Sequence, residues 1–376
     1  MNRRSFLATV GTTGTLATAG CLEALGFEER SAWRDPPLVD DRPDAVYMPA
    51  ATEEMGVYGA DDDGEYAIEL SYTFPHRFWT VSGTETNRVV VELEDTMHLM
   101  VTAWDAQTGH VLPADMYMEI YRESDGELVT DLNLWAMLSQ RMGFHYGDNV
   151  ELPEEGAYRA RVSVGPLDAT PLGSFDGRFE EATTLEVGFE YERSDVHDLA
   201  FDEIDHDRRG ERAALELMDH ADHDHGDGDH DHDDGDHDPM EVATPLLAAP
   251  PVEDLPGTHC GTERTGDAKL SALEVEDDSL SEEGSYLLVT ARTPYNDVVL
   301  PFTSLSLTLE RNGEAVLEDE PLSESIHDEL GHHYGAGIDL EDGDELTVAV
   351  ENPPGVARHD GYETAFFEFE DVSFTV

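Results

Sequence analysis

The sequence predicts an all-β protein made of two β-sandwich domains. Short segments, among them Tyr66–Tyr72 and Ala157–Val164, alternate apolar and polar residues with a period of two. Turn residues separate these segments, and the second half of the chain repeats motifs of the first. Many short strands joined by turns are typical of a sandwich.

Further segments show the same alternation: Arg88–Leu93, Leu185–Tyr191, Ser304–Leu309 and Ala365–Glu370. Between Leu309 and Val316, the dipeptide Asn312-Gly313 predicts a type I′ hairpin turn. The segment Arg209–Met218, in contrast, could form a short helix.

An internal duplication explains the repeated motifs. His145-Tyr146-Gly147 recurs as His333-Tyr334-Gly335, and Val101-Thr102-Ala103 recurs as Val289-Thr290-Ala291, with 188 positions between the copies in both cases. Because a constant offset is hard to obtain by chance, we predict that the two domains share one fold.

The N-terminus carries the features of an export signal. Arg3 and Arg4 form a twin-arginine pair before an uncharged run, Ser5–Gly20, that is too short to span a bilayer. Small residues precede Cys21, which predicts a lipobox whose cysteine is lipidated; an ordinary signal with an incidental cysteine is the alternative. No other segment is apolar enough to be a transmembrane helix. We therefore expect an extracytoplasmic protein anchored to the outer face of the cell membrane.

Changes in composition set the predicted domain boundaries. We expect a signal in residues 1–21, a tether in 22–44, the first sandwich in 45–193, a His- and Asp-rich linker in 194–248 and the second sandwich in 249–376. The low-complexity tract in the linker cannot form a core, so we predict that it is disordered.

The chain is strongly acidic. It has 85 acidic and 21 basic residues, a net charge of −64, and Lys269 as its single lysine. This composition is typical of halophilic proteins, which stay soluble in molar salt because a Debye length of roughly 3 Å screens their self-repulsion. Such a surface will not bind nucleic acid. Once Cys21 is lipidated, Cys260 has no partner for a disulfide.

The sequence contains no recognisable enzyme motif. It lacks a Gly-x-Ser-x-Gly elbow, a phosphate loop and a dinucleotide-binding glycine motif. His327 and His332 are five positions apart, whereas the helix of a zinc protease requires His-Glu-x-x-His. We therefore expect that the protein is not an enzyme.

Potential metal ligands are abundant in the linker. Its tract contains His220, His223, His225, His230, His232 and His237, interleaved with aspartates. Imidazole with carboxylate suits zinc, ferrous iron, nickel or copper, and a flexible chain captures such ions without fixed geometry. A solvating acidic linker is the alternative interpretation.

The first domain adds a softer set of candidate ligands: Met97, His98, Met100, Met116, Met118, Met137, Met142 and His145. Thioether together with imidazole favours copper, although a methionine taken singly is more often core filler. The second domain has no methionine but carries His327, His332, His333 and His359.

Segments of both domains resemble the periplasmic high-affinity iron-uptake proteins, also called the Fe2+-transport family. They are Ala45-Val46-Tyr47-Met48, Met97-His98-Leu99, His145-Tyr146-Gly147-Asp148-Asn149, His333-Tyr334-Gly335-Ala336-Gly337 and Ala357-Arg358-His359-Asp360. The resemblance implies immunoglobulin-like β-sandwiches, usually paired as dimers. It also implies that these bind copper through three histidines and a methionine and act beside an iron permease.

Carried onto the first domain, the resemblance implies that His98, Met137 and His145 are metal ligands. Phe179 stands where the last histidine is expected, and Met100 replaces a glutamate. Met100 could complete the shell, or His359 of the second domain could do so if the two domains pair as the dimers do.

The second domain keeps only part of the implied ligand set. It retains His333 and His359, but Tyr286 and Ser325 occupy the places of the first histidine and the methionine. His327 and His332 could substitute for them; alternatively, this domain has lost its site.

We therefore expect a lipid-anchored protein that captures iron and/or copper and supports uptake by a membrane iron permease. It could act as a homodimer or through pairing of its own domains. Two alternatives remain: sequestration of zinc or copper by the histidine tract, and a surface adhesion or scaffold protein that binds no metal. Convergence of His98, Met137 and His145 on one point would favour the first function.

Overall fold

The structure, a computed structural model, describes residues 36–218 and 242–376, apart from 278, 282 and 283. Strands make up most of its regular structure, which confirms the all-β prediction. No helix in the described ranges is long and apolar enough to cross a membrane. The export signal with Arg3, Arg4 and Cys21, and the histidines of the linker tract, lie outside the described residues.

The first half of the chain forms fourteen strands and one short helix within residues 36–218. The strands are Ala51–Glu53 (β1), Gly56–Asp62 (β2), Tyr66–Thr73 (β3), Phe78–Ser82 (β4), Glu85–Val89 (β5), Met97–Asp105 (β6), Ala114–Arg122 (β7), Leu128–Asn133 (β8), Trp135–Ser139 (β9), Gly143–Val150 (β10), Gly156–Leu167 (β11), Thr170–Leu172 (β12), Thr183–Tyr191 (β13) and Phe201–Glu203 (β14). The helix α1 covers Arg193–Asp198 and begins with a capping box between Glu192 and Asp195. A 3-10 turn covers Gly173–Phe175.

In the described part of residues 242–376, the second half forms nine strands. They are Thr258–Thr265 (β15), Ala268–Val275 (β16), Ser285–Arg292 (β17), Ser304–Arg311 (β18), Glu314–His327 (β19), Gly331–Ile338 (β20), Glu345–Asn352 (β21), Ala357–Arg358 (β22) and Val372–Thr375 (β23). A 3-10 turn at Val252–Asp254 precedes them. Asn312 and Gly313 both have positive φ between β18 and β19, which confirms the predicted hairpin turn.

Two sheets enclose the core of the first half. One has the strand order β2-β3-β6-β10-β9-β22-β4-β5 and the other β13-β11-β7-β8. Alternate residues of β11 and β13 are buried, as period-two patterning requires. Inward side chains of both sheets, including Val101, Ile120 and Val162, belong to one hydrophobic core.

The second half forms a sheet of order β15-β16-β17-β20-β19-β18-β21-β23, with β12 attached to β19. The long strand β19 pairs with β18 through its first part and with β20 through its last residues, Ser323–His327. Strand β19 therefore joins the part of the sheet that contains β20 to the part that contains β18.

The strand registers repeat at the offset seen in the sequence. Tyr146 faces Val101 across β10 and β6, and Tyr334 faces Val289 across β20 and β17. Likewise, His145 faces Met137 and His333 faces Ser325. The same pattern has therefore specified the same pairing twice.

The two halves differ in one connection. Residues 74–96 join β3 to β6 and contain the β4–β5 hairpin, whereas only residues 276–284 join β16 to β17. The first half thus has an extra segment beside its central strands, and His76 lies at the start of it.

A reciprocal exchange of short strands joins the halves. Strand β22 of the second half enters the large sheet of the first, where Ala357 faces Met137. In return, β12 of the first half runs parallel to β19, where Thr170 faces Ser325. Met137 and Ser325 are equivalent in the duplication, so the exchange follows the internal symmetry.

Several local predictions were wrong. Arg209–Met218 is not helical; it runs along the first half, where Leu215 N–H donates to Gln140 and Met218 N–H to the Arg141 carbonyl. Strand β14, within the predicted linker, pairs with β1.

The predicted strand Ala365–Glu370 is also absent. The buried Arg358 guanidinium binds carbonyls of Ala365 and Phe366, and Phe366 has a φ of 63°, so the chain turns there. The predicted strand that began at Arg88 ends already at Val89.

Candidate metal centre

Four histidines meet where the two halves join. His98 lies in β6, His145 in β10, His76 after β3, and His359 directly after β22. One nitrogen of each of His76, His98 and His359 lies within 4.8 Å of the others. The ring centroids of His145 and His359 are 5.2 Å apart. Both halves of the chain therefore contribute imidazoles to one cluster.

Strand geometry directs these side chains to one face of the sheet. His98 and Met100 are two residues apart on β6, and His145 faces Met137 across the neighbouring strands. The exchanged strand β22 lies against β9, and His359 N–H then donates to the Leu138 carbonyl at 3.1 Å. The position of His359 thus depends on the strand exchange.

Hydrogen bonds fix the tautomers of two of these rings. His98 Nδ1 lies 3.0 Å from the Asn149 side-chain oxygen, and His145 Nδ1 lies 3.2 Å from the Gly143 carbonyl. Because both partners are acceptors, each Nδ1 carries the proton and each Nε2 keeps a lone pair. Such orientation by an outer partner is characteristic of metal-binding histidines.

Three of the rings have a buried nitrogen with no hydrogen-bond partner. These atoms are the Nε2 atoms of His98, His145 and His359. A buried acceptor left without a donor costs about 1–3 kcal/mol. Three such atoms in one cluster are therefore costly for the protein alone, and a metal ion would satisfy them.

Burial also keeps these rings neutral. It lowers the pKa of His145 to about 4 and holds the pKa values of His98 and His359 well below the usual histidine value. The neighbouring imidazoles lower the pKa values of His98 and His359 further, although the bond to Asn149 opposes this at His98. The neutral imidazole is the form that binds a metal.

Thioether groups border the cluster on two sides. Met100 is buried against Met55 and Met142, and these three line a cleft that reaches His145 and His359. Met137 is fully buried and packs against Phe78 and Ala357, next to His145 in the sheet. The structure thus brings the predicted residues His98, Met100, Met137, His145 and His359 into one neighbourhood.

An ion pair and buried hydrogen bonds hold the segment that carries His359 in position. Arg77 binds both carboxylate oxygens of Asp360, at 3.1 and 2.6 Å, across the junction. Arg358 is fully buried, which lowers its pKa to about 9, and its guanidinium donates to the carbonyls of Pro354, Ala365 and Phe366.

The histidine at the equivalent position in the second half has no nitrogen free for a metal. His333 Nδ1 donates to the Gly331 carbonyl at 2.9 Å, and its Nε2 lies 3.1 Å from the Tyr286 hydroxyl. Tyr286 occupies the position of His98 and packs in a small apolar cluster with Leu288 and Leu330. Both nitrogens of His333 therefore have protein partners.

The other histidines of the second half do not join His333 at one point. His332 lies on the opposite face of β20, where its Nε2 is 2.7 Å from Glu324. His327 Nδ1 accepts hydrogen bonds from the N–H groups of Glu329 and Leu330. Within the described ranges, no group of three possible ligands includes His327, His332 or His333.

Sequence reasoning missed His76 and its neighbour Glu53. The signal that could have revealed His76 is the extra length of the first half between β3 and β6, which has no counterpart after β16. Glu53, in β1, gave no such signal.

Comparisons with known proteins cover parts of the chain. A family model described as a domain of unknown function (DUF7350) matches residues 253–375. No curated protein matches the chain.

Among solved structures, FetP of uropathogenic Escherichia coli strain F11 is 16% identical, with a TM-score of 0.30 over 37% of this chain and 96% of FetP. A copper-bound variant of FetP is also 16% identical, with a TM-score of 0.29 over 37% of this chain and 97% of its own. Copper-reconstituted P19 of Campylobacter jejuni is 16% identical, with a TM-score of 0.29 over 36% of this chain and 96% of P19.

Proposed function

We propose that the protein binds one copper ion between its halves, through His98, His145 and His359. The observation that carries this proposal is the set of three buried Nε2 atoms without hydrogen-bond partners. On two of the rings, an acceptor at Nδ1 leaves the Nε2 lone pair free for a metal. A methionine sulfur, from Met100 or Met137, completes the shell.

The donor set favours copper over harder metals. Imidazole combined with thioether is a soft-leaning set, and the nearby carboxylates have other partners. Glu53 faces His76, and Asp360 is bound by Arg77. In this proposal the chain's own residues hold and orient the ion and keep water away from it; they carry out no catalytic step.

The wider role in this proposal is extracytoplasmic metal capture. The twin-arginine pair and Cys21 support export and lipid anchoring at the outer face of the membrane. The resemblance to iron-uptake proteins supports delivery of copper or iron to a membrane permease. The histidine tract would bind further ions weakly, in addition to the site between the halves.

Copper titration tests the proposal. A variant lacking residues 219–238 should bind one copper ion tightly. His98→Ala, His145→Ala and His359→Ala should each weaken binding by more than the roughly 10–100-fold loss typical of outer-shell changes. His332→Ala, on the other face of β20, is the matched control and should bind copper normally.

Two outcomes would contradict this proposal. If His98→Ala and His145→Ala retain wild-type affinity, the site does not exist. If only His359→Ala is silent, the second half supplies no ligand.

A further inference from the structure

His76 stands between a carboxylate and the ligand that comes from the second half. Its Nδ1 lies 3.2 Å from Glu53 Oε2 and 3.0 Å from the Phe74 carbonyl. Its Nε2 lies 2.9 Å from Nδ1 of His359. All three side chains lie at the junction, and His76 is buried.

The acceptors determine where the protons lie in this chain of groups. Nδ1 of His76 faces two oxygen acceptors and must therefore carry a proton. In the neutral ring, Nε2 of His76 is then an acceptor, so the shared proton belongs to Nδ1 of His359. This leaves Nε2 of His359 unprotonated, and that atom is buried without a partner.

We propose that Glu53 and His76 form a relay that positions His359 for metal binding and holds it in the tautomer whose Nε2 is free. This inference rests on the proposed copper site and adds two residues to it, neither of which is a ligand. A carboxylate that acts on a metal-bound imidazole through a hydrogen-bonded partner is a general device of metal sites.

His359 needs such a partner because it enters from the other half. His98 and His145 obtain their acceptors, Asn149 and the Gly143 carbonyl, from their own half. The Nδ1 contact of His359 is with His76, across the junction. The residues that follow His76 and His359 also bond across the junction, since Arg77 donates to Asp360.

The asymmetry of the duplication agrees with this role. His76 lies in the extra segment that only the first half has, and among the described residues the group of three imidazoles that could hold a metal lies against the large sheet of the first half. In the second half, where that segment is missing, Tyr286 stands at the position equivalent to His98 and its hydroxyl bonds to His333 Nε2. The extra segment and the open site therefore occur together.

The relay predicts different effects for two substitutions of His76. His76→Phe removes the acceptor for His359 Nδ1, whereas His76→Gln keeps an amide oxygen that can accept the same proton. The control is His110→Phe, because His110 also bonds across the junction, to the Asp328 carbonyl, but away from the cluster.

Two measurements on the full chain test the relay. In the metal-free protein, long-range proton–nitrogen NMR couplings should show His359 protonated at Nδ1, in the wild type and His76→Gln but not in His76→Phe. Copper-induced thermal stabilisation reports binding to the folded state. From it, His76→Phe should show about a 10–100-fold loss of affinity, and His76→Gln and His110→Phe should show little.

The outcomes separate this inference from the proposed function. An unchanged His359 tautomer and unchanged copper affinity in His76→Phe would overturn the relay. Equal loss in His76→Gln and His76→Phe would show that His76 is itself a ligand, which also overturns it. If copper fails to stabilise the wild type, the copper site is wrong, and the NMR measurement still decides the relay.

Discussion

Leucine substitutions at two equivalent histidines should separate metal binding from folding. His145 and His333 occupy the same place in the two halves, both are buried, and both donate from Nδ1 to a glycine carbonyl two residues earlier. They differ at Nε2, which is unpartnered in His145 but bonded to Tyr286 in His333. His145→Leu and His333→Leu therefore form a matched pair.

The expected changes in metal-free stability follow from these contacts. His145→Leu loses one hydrogen bond, worth about 0.5–1.5 kcal/mol, but also removes an unpartnered buried nitrogen that costs about 1–3 kcal/mol. Its free energy of unfolding should stay the same or rise by about 1 kcal/mol. His333→Leu loses the same kind of bond and leaves the buried Tyr286 hydroxyl proton without its acceptor, so it should lose about 2–4 kcal/mol.

Copper should stabilise only one of the two variants. At a free copper concentration of about 100 times the dissociation constant, a bound ligand adds about 2.7 kcal/mol to the free energy of unfolding. The wild type and His333→Leu should both show this gain, whereas His145→Leu should show none.

The assay is urea unfolding in molar KCl, with and without copper, followed by circular dichroism. The reasoning is refuted if copper stabilises His145→Leu as much as the wild type. It is also refuted if metal-free His145→Leu is as unstable as His333→Leu, because the unpartnered nitrogen would then carry no cost.

Three further predictions concern pH, the junction and salt. Burial lowers the pKa of His333 from 6.5 to about 3. Between these pH values the unfolded chain binds a proton that the folded protein does not, so the stability of the wild type falls as the pH falls. Because His333→Leu lacks this group, its stability deficit relative to the wild type should shrink between about pH 7 and pH 4 in urea titrations. Asp360→Asn breaks the ion pair with Arg77 at the junction, so it should lower the free energy of unfolding by up to about 3–5 kcal/mol and weaken copper-induced stabilisation. Asp125→Asn breaks the exposed pair with Arg122 and should change the free energy of unfolding by less than about 1 kcal/mol. Because the net charge is −64, the melting temperature should rise between about 0.1 M and 1 M KCl, and a fall would contradict salt adaptation.

Local patterns were enough to predict some elements and not others. The alternation in Tyr66–Tyr72 and Leu185–Tyr191 marks true strands, because each has one face against the core. Ala365–Glu370 shows the same alternation but forms a turn, because Arg358 binds its carbonyls from a distant part of the chain. Tertiary contacts overrode the local preference there.

The sequence by itself determined the all-β class, the repeated strand registers and the candidate ligands His98 and His145, because strand periodicity and repeated motifs are properties of contiguous residues. Only the tertiary structure decided that His359 lies against the first half and that His76 bonds to its Nδ1. It also decided that the Tyr286 hydroxyl bonds to His333 in the second half. These contacts join residues up to 283 positions apart, and the strand exchange that makes them leaves no periodic trace in the sequence. The candidate metal centre thus arises where the two halves pack together, since neither half supplies all of its imidazoles.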